Sequence, residues 1–460
     1  MSGKLPTVAG MNETTSRDLD RLRERAHGPV HLPETDGYDG ERLGFQRLAP
    51  HRPAVIVGAA GAEDVRAAVE YAAARGRRVA VQATGHGLGH ALRDGVLIGT
   101  RRMSEVRVDP EARTAFVAAG ATWRDVIEAA APYGLAPLSG SSPGVGAVSY
   151  TLGGGVGLVA RRHGFAADHV RRFDLVTADG RLRTVTADSE PDLFWALRGG
   201  GRGLGVVTGM EVELLPIARL FGGGVYFDLA RVPDALKGWR RWTETVPEEL
   251  TSGLTALCYP DLPMVPEELR GRHVAHVQVA YLGTETEGRE LVEPLRALGP
   301  RLRETLRDLP YTESGAIFAE PDRPHGYRSQ NRLLRGFDPA ALTSLPRSAG
   351  PAAPMMCVVG LRHLGGALAR PPEIANAVGH REAAYLLNVL SLVEPGEEGK
   401  ARALHEEVLA PFAADALGRS LNFSYGPLEE DELRSAFAPE TYRRLAGLRA
   451  AWDPDGVFQV

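Results

Sequence analysis

The sequence predicts an α+β protein, and the prediction rests on how its apolar residues are spaced. From Pro53 a strand, an amphipathic helix and a second strand follow in order, and period-two stretches joined by turn residues continue to residue 216. From 217 to 404 longer alternating stretches are separated by helical segments, the pattern of an antiparallel sheet backed by helices. A chain of 460 residues exceeds one ordinary core, so two intimately packed domains, or one interrupted by another, are expected.

Residues 1–44 read as a polar lead-in with a helix over Ser16–Ala26, where Leu19 and Leu22 fit helical spacing. Residues 45–216 read as a compact domain. Ala54–Gly58 is a short apolar strand, and Ala62–Gly76 is a helix with Val65, Ala68, Val69 and Ala72 on one face and Gly76 past its end. Arg77–Gly85 is a second strand that runs into glycines. The following stretch to Trp123 alternates on both sides of Asp109–Pro110, as one β-hairpin would. Thr122 and Asp125 resemble a capping box that opens a helix with Val126, Ile127 and Ala130 as its apolar stripe. A further hairpin turns at Asp179–Gly180, and residues 191–216 hold a short helix, a glycine loop and a final strand. In 217–404 the alternation recurs at 222–229, 251–259, 273–283, 354–366 and 385–393. Residues 405–460 return to helix and turn, with Tyr442, Leu445 and Leu448 at helical spacing before Asp453–Gly456.

Composition narrows the function. Hydrophobic residues are 43% and charged residues 24%, as in ordinary soluble globular proteins. No apolar run approaches the roughly 20 residues of a membrane helix, and the polar, charged N-terminus lacks a secretory core, so a cytoplasmic location is expected. A net charge of -5 with scattered arginines leaves no nucleic-acid footprint, which points to a small-molecule partner. Lysine occurs only at 4, 237 and 400, none in a glycine-rich context, which argues against Schiff-base cofactors. Cys258 and Cys357 lie in apolar runs without metal spacing, so neither a disulfide scaffold nor a metal site is expected. The turn at Gly58 fails the GxGxxG spacing and no GxxxxGK[ST] loop exists, which disfavours NAD and ATP by the usual routes.

Two segments carry the chemistry. Ala83-Thr84-Gly85-His86-Gly87-Leu88-Gly89 follows a strand, and its alternate glycines permit N–H groups to turn inward as an anion nest suited to a pyrophosphate. The run SGSSPGVGAVSYTLGGGVG from Ser139 to Gly157 is too glycine-dense for a regular element and too apolar for a linker, so close approach to a flat, bulky ligand explains it.

Together with RRHGFAADHV, VTADG, DLFWALRGGG, GVVTG, LNF and DPDGVF, these segments resemble the FAD-linked oxidoreductases of the vanillyl-alcohol-oxidase and berberine-bridge-enzyme superfamily. The resemblance runs from about residue 45 to the end. It implies a two-part FAD-binding domain, 45–216 with the returning segment 405–460, and an inserted substrate domain, 217–404. It places the FAD pyrophosphate on the backbone of Thr84, Gly85, His86, Gly87, Leu88 and Gly89. The ribityl chain and isoalloxazine would follow Ser139, Gly140, Ser141, Ser142, Val145, Gly146, Gly153, Gly154 and Gly157, with Asn422 also near the cofactor. Arg162, Val206 and Val207 would lie near the adenine or ribityl end. His86 occupies the position of the 8α-histidyl link. The cysteine that makes a second link in GxCPxVG is replaced by Ser142, so attachment through His86 alone is implied. Val145 falls where the family is thought to gate oxygen.

The resemblance implies an oxidase in which hydride from a small molecule, of the kind found in secondary metabolism and antibiotic biosynthesis, reaches the flavin and O2 is reduced to H2O2. A dehydrogenase with another acceptor and a flavin-bearing cyclase without net redox are the alternatives. The family tyrosine in Tyr-x-Asn-Tyr/Phe is here Ser420, followed by Asn422 and Phe423. A serine hydroxyl is a poor base without an activating neighbour. Replacement bases are His363, Tyr425, Tyr385 or Tyr327, with His363 and Arg362 on a strand expected to face the flavin.

Overall fold

The computed structural model describes residues 8–459. Its scaffold is three sheets. The first has four strands in the order Val30–His31, Val55–Gly58, Val96–Gly99, Val79–Gln82, of which the last three run parallel. The helix Ala62–Ala73 lies between this sheet and a five-stranded antiparallel one ordered Val106–Asp109, Thr114–Ala118, Val206–Glu213, Val170–Val176, Leu182–Val185. Its predicted stripe, Val65, Ala68, Val69 and Ala72, is fully buried against both sheets. Each valine so buried contributes on the order of 1.5–3 kcal/mol.

Several expected elements are re-partnered. Val96–Gly99 does not join the hairpin at Asp109–Pro110; it inserts between Val55–Gly58 and Val79–Gln82. The hairpin is confined to Val106–Asp109 and Thr114–Ala118. The VLIG stretch is buried at every residue, as a central parallel strand is, and its sequence neighbours hid that distinction. The N-terminal helix starts earlier than expected, spanning Val8–Arg25, and Leu22 packs beneath Ala62–Ala73. The lead-in is tied in further by buried Asp64, which accepts from the backbone N–H groups of His27 at 2.8 Å, Gly28 at 3.0 Å and Ala60 at 2.8 Å. The Thr122 capping box forms as predicted.

The third sheet is the large antiparallel one. Its main path is Arg301–Glu304, Arg219–Asp228, His273–Tyr281, Leu250–Cys258, Val358–His363, Tyr385–Leu392, Tyr327–Leu334, Ala416–Gly418, with Arg307–Pro310 also pairing to Arg219–Asp228. Helices Ala235–Trp242, Glu285–Arg296, Leu345–Ser348 and Glu398–Leu409 cover one face. The other face looks across a crevice toward the glycine-rich segments. The expected boundary at 404/405 is crossed by Glu398–Leu409, and Ala416–Gly418 still pairs into the large sheet, so the chain leaves that sheet near Arg419. The helix Pro439–Trp452 then packs on Pro191–Leu197, and the N–H of Val79 donates to the carbonyl of Val457 at 2.7 Å. Among the described residues no helix is long and apolar enough to cross a membrane.

Candidate flavin site

The two glycine-rich segments meet at the C-terminal end of the parallel strand Val79–Gln82, the end at which open α/β sheets receive ligands. Gly85 has φ +73°, and a Cβ there would lie 2.5 Å from the Cα of Gly44, so the turn admits only glycine. Phe45 and Gln46 donate to the carbonyls of Thr84 and Gly85, at 2.8 and 3.0 Å. Gly146 abuts Ala83 and Thr84, where an added Cβ would stand 3.4 Å from Ala83 Cβ. Gly153 lies against Asn422, whose Nδ2 donates to the Tyr150 carbonyl at 2.9 Å and whose Oδ1 accepts from the Gly155 N–H at 3.0 Å. Gly140 lies against the Tyr150 ring, Gly154 against Val378 and Phe165, and Gly157 against the Ser139 carbonyl. Ser139 Oγ pairs with the Tyr311 hydroxyl at 3.0 Å. Val145 rests on the core beside Trp123 and donates to the Ser142 carbonyl at 3.3 Å. Leu88 is buried, and its carbonyl accepts from Gly426 at 3.1 Å.

The backbone N–H groups from Thr84 to Gly89, and those of Gly140, Ser141 and Ser142, donate to no protein acceptor among the described residues. Gly140 and Ser141 are buried, and buried N–H groups are rarely left without an acceptor. Arg202, on the loop after Pro191–Leu197, reaches Gly87, its Nη2 donating to that carbonyl at 2.5 Å, and has no acidic partner among the described residues. Converging N–H donors and a guanidinium on glycines that allow close approach fit a pyrophosphate and a planar ring, so the residues present fit FAD.

His86 is held on several sides. Its Nδ1 is 2.8 Å from Thr84 Oγ1, and its ring stacks on Phe45 at 3.9 Å and 15°. The Tyr327 hydroxyl donates to its carbonyl at 2.6 Å. Burial, aided by nearby His325, lowers its pKa to about 4, so the imidazole is neutral near pH 7, and Nε2 has no hydrogen-bond partner among the described residues.

The large sheet separates the proposed bases. Along Val358–His363, Val359 and Leu361 point into the helix-backed core, so period two sends His363 there and Arg362 into the crevice. His363 Nε2 accepts from Arg161 Nη1 at 2.5 Å and its ring stacks on Tyr385 at 5.6 Å. Burial, with Arg161 and Arg240 nearby, lowers its pKa to about 3. Tyr385 shares that core and its hydroxyl pairs with Thr243 Oγ1 at 2.7 Å. The expectation that His363 and Tyr385 serve the site is therefore corrected: both are packing residues on the far side of the sheet. Tyr425 lies on the crevice side, 5.3 Å from the Tyr327 ring, and its hydroxyl has no partner among the described residues. Burial, with Glu320 adding to it, raises its pKa well above the usual phenol value, so it keeps its proton. Ser420 lines a cavity of about 30 Å³, room for roughly one water, with Gly153, Leu333 and Phe437.

Other expectations shift as well. Arg162 points away to Glu249, at 3.7 Å and half exposed, because one helical step turns it from buried Arg161. It stands apart from the glycine segments. Val206 and Val207 are buried on opposite faces of the five-stranded sheet, so only their backbone is available to a ligand. Cys258 and Cys357 both lie toward the large sheet, and burial pushes the Cys357 thiol up to about 12. A recess of about 530 Å³ beside Arg102, Phe116 and Arg183 holds none of the expected site residues. Phe45, Arg202 and Glu320 are site residues that sequence reading missed. Each arrives from a separate loop, and no local pattern connects it to the glycines.

Comparison with known proteins agrees with this geometry. A family model for the FAD binding domain matches residues 53–186. The (R)-6-hydroxynicotine oxidase of Paenarthrobacter nicotinovorans is 28% identical over 94% of this chain and 95% of its own. Among solved structures, 6-hydroxy-D-nicotine oxidase from Arthrobacter nicotinovorans superimposes with a TM-score of 0.82 at 24% identity, covering 94% of this chain and 97% of that one. Berberine bridge enzyme from Eschscholzia californica gives 0.81 at 19%, covering 96% and 98%. With the glycine segments folded into a cradle that fits FAD, residues 53–186 match the FAD binding domain, and the chain as a whole is similar to FAD-linked oxidoreductases.

Proposed function

We propose that the chain is an FAD-dependent oxidase that takes hydride from a C–H bond of a small molecule and passes the electrons to O2, giving H2O2, with FAD attached through His86 alone. The observation that carries this reading is the neutral His86 imidazole, its Nε2 unpartnered, set among backbone donors that have no protein acceptor. Bound FAD supplies the two-electron acceptor. The chain supplies the rest. Thr84 and Phe45 fix the imidazole plane, and Tyr327 ties its backbone to the large sheet. Residues 45–216 and the segment after Arg419 form the cofactor part, and the crevice face of the large sheet forms the substrate part. Tyr425, as a protonated phenol, donates to a substrate oxygen or nitrogen and does not accept its proton. The partners in this reading are a small molecule and O2, in the cytoplasm, without nucleic acid or membrane.

Purified protein should be yellow, and the colour should stay with the acid-precipitated polypeptide. Peroxide should form in step with oxidised product under air. Product formed with an artificial acceptor but never with O2 would replace oxidase by dehydrogenase, and product formed without any bleaching under anaerobic conditions would favour the cyclase.

A further inference from the structure

Arg362 is a cation on the crevice face whose charge is only partly answered. Its Nη2 donates to Ser141 Oγ at 2.9 Å and stands 3.5 Å from Glu320 Oε1, while Nε and Nη1 have no acceptor among the described residues. The side chain is 13% exposed, and the guanidinium carbon lies 4.3 Å from the Phe318 ring centre and 5.0 Å from that of Phe423. Aromatic faces on a guanidinium fix its plane. Glu320, 38% exposed, follows Ala319, which adopts φ +49°, and also accepts from Ser141 Oγ at 2.7 Å. It is thus a loop carboxylate resting at one corner of the guanidinium.

The nearby phenols are donors as well. Among the described residues the buried Tyr150 hydroxyl has no partner and that of Tyr425 has none. Burial raises both pKa values, against the pull of Arg362, so both keep their protons. A guanidinium and two phenolic O–H groups form a wall dominated by donors, with the Glu320 carboxylate as the acceptor at its corner. A cationic amine would be repelled there, and a neutral hydroxyl would leave the charge unmatched. The complement is a planar anion that only accepts.

We infer that Arg362 receives a carboxylate of the substrate, with the Tyr150 and Tyr425 hydroxyls beside it, so the substrate class is a carboxylic acid whose oxidisable C–H bond lies elsewhere in the crevice. Glu320 is the internal carboxylate that the substrate displaces. The inference rests on the flavoprotein reading above.

The test titrates the purified holoenzyme with benzoate and with benzamide and follows the visible flavin spectrum. Benzoate is expected to perturb the spectrum saturably and benzamide not at equal concentration. Arg362→Met is expected to weaken benzoate about 10- to 100-fold, the loss of a charge-assisted pair, and Glu320→Gln to tighten it by removing the competing carboxylate. Benzoate binding unchanged in Arg362→Met, or matched by benzamide, overturns the inference. If Arg362→Met does not fold, Glu320→Gln decides: unchanged or weaker benzoate affinity overturns it. Protein that purifies without flavin contradicts the flavoprotein reading instead, which separates the two failures before any titration.

Discussion

The two faces of the large sheet are built from the same strands and have opposite characters. On the helix-backed face, His363 and Tyr385 sit among Leu361, Leu387 and Val389, with His363 Nε2 accepting from Arg161 and the Tyr385 hydroxyl paired to Thr243. On the crevice face, Arg362 and Tyr425 hold donors with no protein partner. Adjacent residues of one strand thus divide between stability and function, and a one-residue error in facing exchanges the two roles.

The largest effect belongs to the floor of the crevice. Gly85→Val forces a Cβ-branched side chain into left-handed backbone 2.5 Å from Gly44, and is expected to cost more than about 3 kcal/mol with loss of flavin, read by chemical denaturation and bound colour. Next comes the contrast between neighbours. His363→Ala should destabilise by about 1–3 kcal/mol yet leave flavin content and turnover near wild type. Arg362→Met should change stability by less than about 1 kcal/mol and weaken carboxylate binding about 10- to 100-fold. If both variants lose stability equally, or both lose ligand binding, the division between the faces is wrong.

Acid should expose the helix-backed face as well. The His363 pKa is lowered from 6.5 to about 3, so the unfolded chain binds more protons than the folded one between these values. This contribution to stability is complete above pH 6.5 and is lost as pH falls toward 3, and His363→Ala should flatten that slope in equilibrium unfolding. A smaller effect, remote from both faces, is expected at Asp64. Burial raises its carboxyl, but backbone donors from Ala60, His27 and Gly28 outweigh this and hold it below the usual range. Asp64→Asn should cost about 1–2 kcal/mol near neutral pH, and the gap to wild type should close as pH falls through the depressed folded value.

Local spacing revealed the helix Ala62–Ala73, the Thr122 cap, the hairpin at Asp179–Gly180 and the antiparallel nature of 217–404, because each depends on residues close in sequence. It misled at Val96–Gly99, whose partners are set by the parallel sheet, and at His363, whose facing is set by helices packed far along the chain. In the site, glycine density disclosed the cradle. The Phe45 stack on His86, the reach of Arg202 to Gly87 and the meeting of Glu320, Ser141 and Arg362 join distant loops, which no single sequence window contains.

The central claim is that His86, set in its ring of free backbone donors, is the sole anchor of FAD. Intact-protein mass spectrometry under denaturing conditions tests it most directly. The wild-type chain should carry the mass of one FAD, mapped by digestion to the peptide containing His86, and His86→Ala should show the bare polypeptide mass. A bare wild-type chain, or an adduct that persists in His86→Ala, would contradict it.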